Sequence, residues 1–213
     1  MKKLFLATVI AATLPLAAQA ESNFVTGTGS LTATAKLDFI ITVPKVLFLQ
    51  VGAGTSNANN TTVNDIAFAV PAGNVGNGTA VTGTGGDLAG GGVTVRVMGN
   101  SGTVTLNNAV TGPLSSGVVG NPTVPWSDIT VSAGILPATT PGFNNTAIAH
   151  PAFNTAAGGG TSATGTTLPA TGGLVRREGS WSFAYANTAA LPAGTYGNTV
   201  ANNGTVTYTA TAP

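Results

Sequence analysis

An all-β sandwich of about nine or ten short antiparallel strands is the fold class this sequence predicts. Three observations predict it. Apolar residues alternate with Thr, Asn and Ser in short runs, turn residues punctuate those runs, and no segment keeps a helical period with caps. The 30 Gly and 12 Pro among 213 residues supply the turns. The 43% hydrophobic share rests on Ala and Val interleaved with Thr, which suits strands better than helices.

Taken in order, Ala33–Val43 reads as a strand with Ala35, Leu37, Phe39, Ile41 and Val43 on one face, and Lys36, Asp38 and Thr42 on the other. Pro44 ends or bends it, and Val46–Val51 continues as an almost wholly apolar run. These two segments are the densest apolar part of the chain beyond residue 20, and the expectation is that they form the centre of the core. A polar loop over 52–62 leads to a strand around Val63–Val70. Val93–Met98 and Thr103–Leu106 flank Gly99-Asn100-Ser101-Gly102 and read as a β-hairpin. Trp126–Val131 is a further short strand, and residues 132–173 are the stretch that local pattern determines least. Ser180–Tyr185 alternates again, and Thr205–Thr211 is the last strand.

The first twenty residues have their own chemistry. Met1-Lys2-Lys3 is a short basic region, Leu4–Leu16 is apolar and broken by Pro15, and Ala18-Gln19-Ala20 supplies the small residues that signal peptidase needs. Cleavage is expected between Ala20 and Glu21. The apolar run is shorter than the ~20 residues that span a bilayer. The reading is therefore a secretory signal, a secreted protein, and no membrane span in the mature chain. Residues 21–35 are then an N-terminal extension or first strand, and 36–213 a single sandwich domain. Removing Lys2 and Lys3 from the seven basic residues leaves five against six acidic ones, a net charge of −1. That balance excludes an electrostatic footprint for nucleic acid. The absence of Cys excludes disulfides and a lipidated Cys, so stability must come from strand pairing and burial.

The inventory of reactive residues is small. His150 is the single histidine, set before Pro151, and no Gly-x-Ser-x-Gly elbow accompanies it. It reads as a surface-loop residue, although a buried His150 within reach of Ser and Asp would revive a hydrolase. The carboxylates Glu21, Asp38, Asp65, Asp87, Asp128 and Glu178 are scattered, so neither a local acid pair nor a calcium loop forms. Thr82–Leu88 reads as a flexible glycine turn. Leu168–Gly172 matches a sortase pentapeptide without the apolar tail such a signal needs. Arg176-Arg177-Glu178 reads as a solvated turn. Trp126, Trp181, Phe183, Tyr185, Tyr196 and Tyr208 read as core anchors ahead of a glycan-binding face. Pro71–Asn77 matches Pro192–Asn198 in five of seven positions, which reads either as a duplicated corner leading into equivalent strands or as chance recurrence in a chain rich in Pro, Ala, Gly and Asn. No cofactor, no metal and no enzymatic activity are expected. Short strands and an end in Thr-Ala-Pro argue against an outer-membrane barrel.

Two stretches carry a resemblance. Ala190-Leu191-Pro192-Ala193-Gly194-Thr195-Tyr196 followed by Gly204–Ala210 resembles the C-terminal strands of spore-coat-protein-U-like and archaic chaperone–usher pilin subunits. Leu37–Gly52 is similar to a segment of uncharacterised secreted proteins of Gram-negative bacteria. The resemblance implies an immunoglobulin-like sandwich in the periplasm or at the cell surface. It also implies a sandwich lacking one strand, which a periplasmic chaperone and then the extension of a further subunit supply. The implied donor strand is Ser22–Thr34, with Phe24 and Thr26 on one face and Leu31 and Ala33 on the other. The expected function is a structural or adhesive fimbrial-subunit-like protein that partners copies of itself. The alternative is a monomeric extracellular module binding a glycan or other surface ligand through loops 52–62 and 132–173.

Overall fold

One long strand organises the fold. In the computed structural model, which describes residues 21–213, twelve strands form: β1 (Leu47–Val51), β2 (Ile66–Ala67), β3 (Val81–Thr82), β4 (Thr84–Gly85), β5 (Gly92–Gly99), β6 (Val104–Val110), β7 (Ile129–Gly134), β8 (Asn144–Asn145), β9 (Gly160–Thr161), β10 (Thr166–Leu168), β11 (Val175–Tyr185) and β12 (Thr207–Thr211). Five are two residues long, so the other seven carry the sandwich. The expected signal peptide, Ala20 included, lies outside the described residues. Glu21 is exposed.

The 11-residue β11 is the centre of the first sheet. Val175–Ser182 pair antiparallel with β5, and Ser180–Tyr185 pair antiparallel with β7 on the opposite side. β1 adds to the far side of β5, which sets the order β1-β5-β11-β7. In the second sheet β6 lies between β12 and β10, with β9 extending the β10 side. Taken in chain order, β1, β5, β6, β7, β11 and β12 occupy the positions of strands A to F of an immunoglobulin-like sandwich, A-B-E-D facing C-F. Among the described residues, no strand pairs with the other side of β12, where a seventh strand would stand.

The core follows from alternation. Val93, Val95 and Val97 of β5, Val104, Leu106 and Val110 of β6, and Trp181, Phe183 and Tyr185 of β11 turn inward and are buried. Gly179, on the same face of β11, is required there. A Cβ would sit 2.7 Å from the Thr146 carbonyl oxygen and 2.9 Å from that of Gly134. Its bareness lets residues 146–148 cross the inner face, where the Trp181 indole N–H donates to the Ile148 carbonyl at 2.7 Å.

Several expectations are corrected. Residues 21–44 belong to a unit separate from Lys45–Pro213, which holds every strand of the described residues. Ala33–Val43 is no strand and no core: its residues are exposed and join no strand ladder. Alternation reports which side chains share a face, but a strand exists only where a partner completes its ladder. The core centre is instead β5, β6 and β11, with Val46–Val51 at a sheet edge. The Val93–Leu106 hairpin is also absent. β5 and β6 lie in different sheets, and Asn100–Thr103 turn the chain from one layer to the other. Each strand has a full inner face to bury, and crossing between sheets buries both faces against each other. The strand expected over Val63–Val70 shrinks to β2, and that over Trp126–Val131 becomes a 3-10 turn (Trp126–Asp128) before β7.

Candidate functional site

Residues 21–44 hold a dense run of exposed apolar side chains. Phe39, Ile40 and Ile41 are 84%, 90% and 87% exposed, and Leu37 and Val43 are exposed as well. Each such side chain left in water forgoes roughly 1.5–3 kcal/mol of burial. Leu37, Phe39, Ile41 and Val43 are spaced by two, so an extended backbone turns all four to one side. The donor residues expected from the sequence, Phe24, Thr26, Leu31 and Ala33, are also exposed and outside any strand. They lie N-terminal to the denser apolar row Leu37–Val43, which is expected in the core and is exposed instead. Pro44, which ends the row, separates it from β1.

The sandwich has an open flank. Among the described residues β1 pairs only with β5 and β12 only with β6, and the two run alongside each other at one side of the sandwich. Leu49 and Val51 from β1 and Val206, Tyr208, Ala210 and Ala212 from around β12 pack on the core while staying partly exposed. Two unpaired ladders with a half-buried apolar row on each are what an added strand requires: backbone groups to pair and side-chain positions to fill. At the end of this flank the Lys45 ammonium donates to the Pro213 carbonyl at 3.3 Å.

His150 is half-buried rather than a surface-loop residue. Its Nε2 shares a 2.8 Å hydrogen bond with the Tyr208 hydroxyl, and its ring sits edge-on to Trp181 and Phe153 with centroids 4.6 Å away. Tyr208 itself stacks on Trp181 at 5.1 Å. Neither a serine nor a carboxylate bonds to the imidazole among the described residues, so the geometry gives it no nucleophile to activate. Burial pushes its pKa down from 6.5 to about 4, with the Pro151 backbone partly opposing. The sign follows from linkage: the unfolded chain binds the proton more readily, so stability falls as pH drops through the window between about 6.5 and 4. The expected result is a urea midpoint that declines from pH 7 to pH 4 for residues 21–213. A flat profile would refute this account. Beside His150, an open cleft of about 490 Å³ is walled by Trp126, Ile129, Val131 and Phe153.

The aromatic set expected to anchor the core largely does: Trp126, Trp181, Phe183 and Tyr185 are buried. Arg176-Arg177-Glu178 is not a solvated turn. It lies in β11, and Glu178 is fully buried, paired with Arg96 across the ladder. Leu168 of the sortase-like pentapeptide is buried in β10. Among the described residues no group of three His, Cys, Asp or Glu is placed to hold a metal ion, and no helix is long and apolar enough to cross a membrane.

No family model matches this chain, and neither a curated protein nor a solved structure is significantly similar to it.

Proposed function

We propose that this protein is an exported, pilin-like structural subunit that assembles by strand addition. The apolar segment Leu37–Val43 of one copy lies along the open β12 flank of the next. One observation carries the reading: an immunoglobulin-like strand order with no strand beside β12, in a chain that also exposes an unpaired row of Leu37, Phe39, Ile41 and Val43. Added there, the row packs against the partly exposed apolar residues of the flank, and its backbone completes the β12 ladder. The donor is thus centred C-terminal to Phe24–Ala33, which becomes the lead-in. Because the donor segment and the acceptor flank are different surfaces, the contact is head-to-tail and builds an open filament. An unassembled subunit needs a periplasmic chaperone to cover the flank.

The test compares residues 21–213 with the same chain carrying Phe39→Asp and Ile41→Asp. Both positions are exposed, so circular dichroism and the thermal midpoint should not change. Size exclusion and negative-stain microscopy should show concentration-dependent oligomers or filaments for the first protein and monomers for the second. Monomers in both would sink the reading. The second reading, a monomeric binding module, draws on the cleft beside His150, and a glycan that shifts Trp fluorescence would favour it.

A further inference from the structure

The two ends of the sandwich differ, and chain connectivity says what meets them. At one end the loops over 71–79, 111–125 and 186–206 are tied together. Asn187 Oδ1 accepts from the Gly76 N–H at 3.0 Å, and the Gly197 N–H donates to the Ser115 carbonyl at 2.8 Å. No Asp, Glu, Lys or Arg occurs in these loops, yet Val75, Val118, Val119 and Val200 are exposed there, Val119 completely. β12 starts from this end, at Thr207. At the opposite end β12 finishes where the chain enters β1: Lys45 reaches Pro213, and the Val46 N–H donates to Asn100 Oδ1 at 2.8 Å. The Gly102 N–H donates to the Gly173 carbonyl at 3.2 Å, which brings residues 169–174 to the same entry end. Val46 and Leu174 are exposed on it.

The link between donor row and sandwich is short. Val43 ends the row and Leu47 starts β1, four residues on, a step that extended chain spans in about 14 Å. Wherever the row ends on one copy, the entry end of the copy that supplies it must follow directly. A repeating head-to-tail chain sets that entry end against the loop end of its neighbour, whereas two entry ends face to face would close a symmetric pair. The donor then runs antiparallel to β12, with Val43 near Thr207. The contact between the ends need not hold two molecules by its own area. Strand addition already joins them, and the short link gives a high effective concentration. Exposed valines with no charge among them suit a surface that assembly covers.

We infer that the valine-bearing loop end is an interface, and that its occupant is the entry end of the copy whose donor strand it holds. This rests on the strand-addition reading above, to which the interface adds a direction for the donor and a second contact at every junction.

The experiment places like charge on the loop end of residues 21–213, with Val119→Lys plus Val200→Lys as the variant and Ser132→Lys on exposed β7 as the control. Both valines face water in the single copy, so the thermal midpoint before assembly should stay the same. The critical concentration for filaments is read by sedimentation and negative-stain microscopy. It should rise about tenfold in the double variant, the scale of one lost apolar contact, and stay unchanged in the control. Adding Leu174→Glu at the entry end should bring it back down, because the new carboxylate meets the new lysines. A double variant that assembles like the unsubstituted chain overturns the inference, as does a failure of Leu174→Glu to restore assembly. An absence of filaments from the unsubstituted chain overturns the strand-addition reading, and this inference with it.

Discussion

Glu178→Ala is expected to destabilise the sandwich by about 3–5 kcal/mol, the cost typical of breaking a buried ion pair from one side. Glu178 is fully buried on the outer face of β11, under the chain that runs from β7 to β8. The Arg96 Nε donates to its Oε2 at 2.9 Å, and the Thr140 backbone N–H donates to its Oε1. Arg96 also donates to Gln50 Oε1 at 3.2 Å and to Thr140 Oγ1 at 2.8 Å, so β1, β5, β11 and the crossing loop meet at one carboxylate. Removing the carboxylate strands a guanidinium that is only 16% exposed and orphans the Thr140 amide. Glu178→Gln keeps an acceptor for Thr140 and should lose less, while Glu178→Leu with Arg96→Met should recover much of the loss. Guanidinium midpoints measure all three. A loss below about 1 kcal/mol for Glu178→Ala would mean that water already screens the pair.

The same carboxyl has a pH signature. Burial pulls its pKa up, but the hydrogen bonds from Arg96 and Thr140 and the Arg96 charge outweigh burial and hold it below 4.5. Its stabilisation is therefore complete above that value and is lost as pH falls through the lower folded value. His150 acts in the window above, so acid weakens the fold in two successive stages.

Trp181→Ala carries the other large effect, about 3–5 kcal/mol. Its side chain is fully buried between the sheets, packed against His150 and Tyr208. Truncation opens a cavity and leaves the Ile148 carbonyl without its donor. Trp181→Phe separates the two contributions, because it restores most of the volume and none of the hydrogen bond; it should cost about 1–3 kcal/mol. Against a typical total of 5–15 kcal/mol, and with no disulfide to compensate, the Ala variant should be partly unfolded at 37 °C. A thermal midpoint within a few degrees of the unsubstituted chain would show that the layers close over the gap.

How far the pattern of residues could be followed differs from strand to strand. The alternation of Val93, Val95 and Val97 with Thr94 and Arg96 identified an inner face, and β5 has that face. Trp181, Phe183 and Tyr185 were legible as core anchors for the same reason. The alternation of Leu37, Phe39, Ile41 and Val43 was just as clear, yet these residues face water. Periodicity is a local property and records only which side chains would be buried together; whether a ladder stands ready to bury them is decided by the rest of the chain. Glu178 shows the converse. Beside two arginines it read as surface charge, and its burial depends on Arg96, 82 residues away, and on a loop that local pattern left undetermined.

The sequence by itself determined that this protein is all-β, where most of its long strands lie, which of their faces are apolar, and that no disulfide supports them. Those properties follow from side-chain period, turn chemistry and composition, each readable within a short window. Only the tertiary structure decided that β5 and β6 part into different sheets, that among the described residues one side of β12 is left unpaired, and that the row Leu37–Val43 joins no strand ladder. Each of these depends on pairing between residues far apart in the chain, and backbone hydrogen bonding is the same for every residue type, so no local signal records which strand will be chosen.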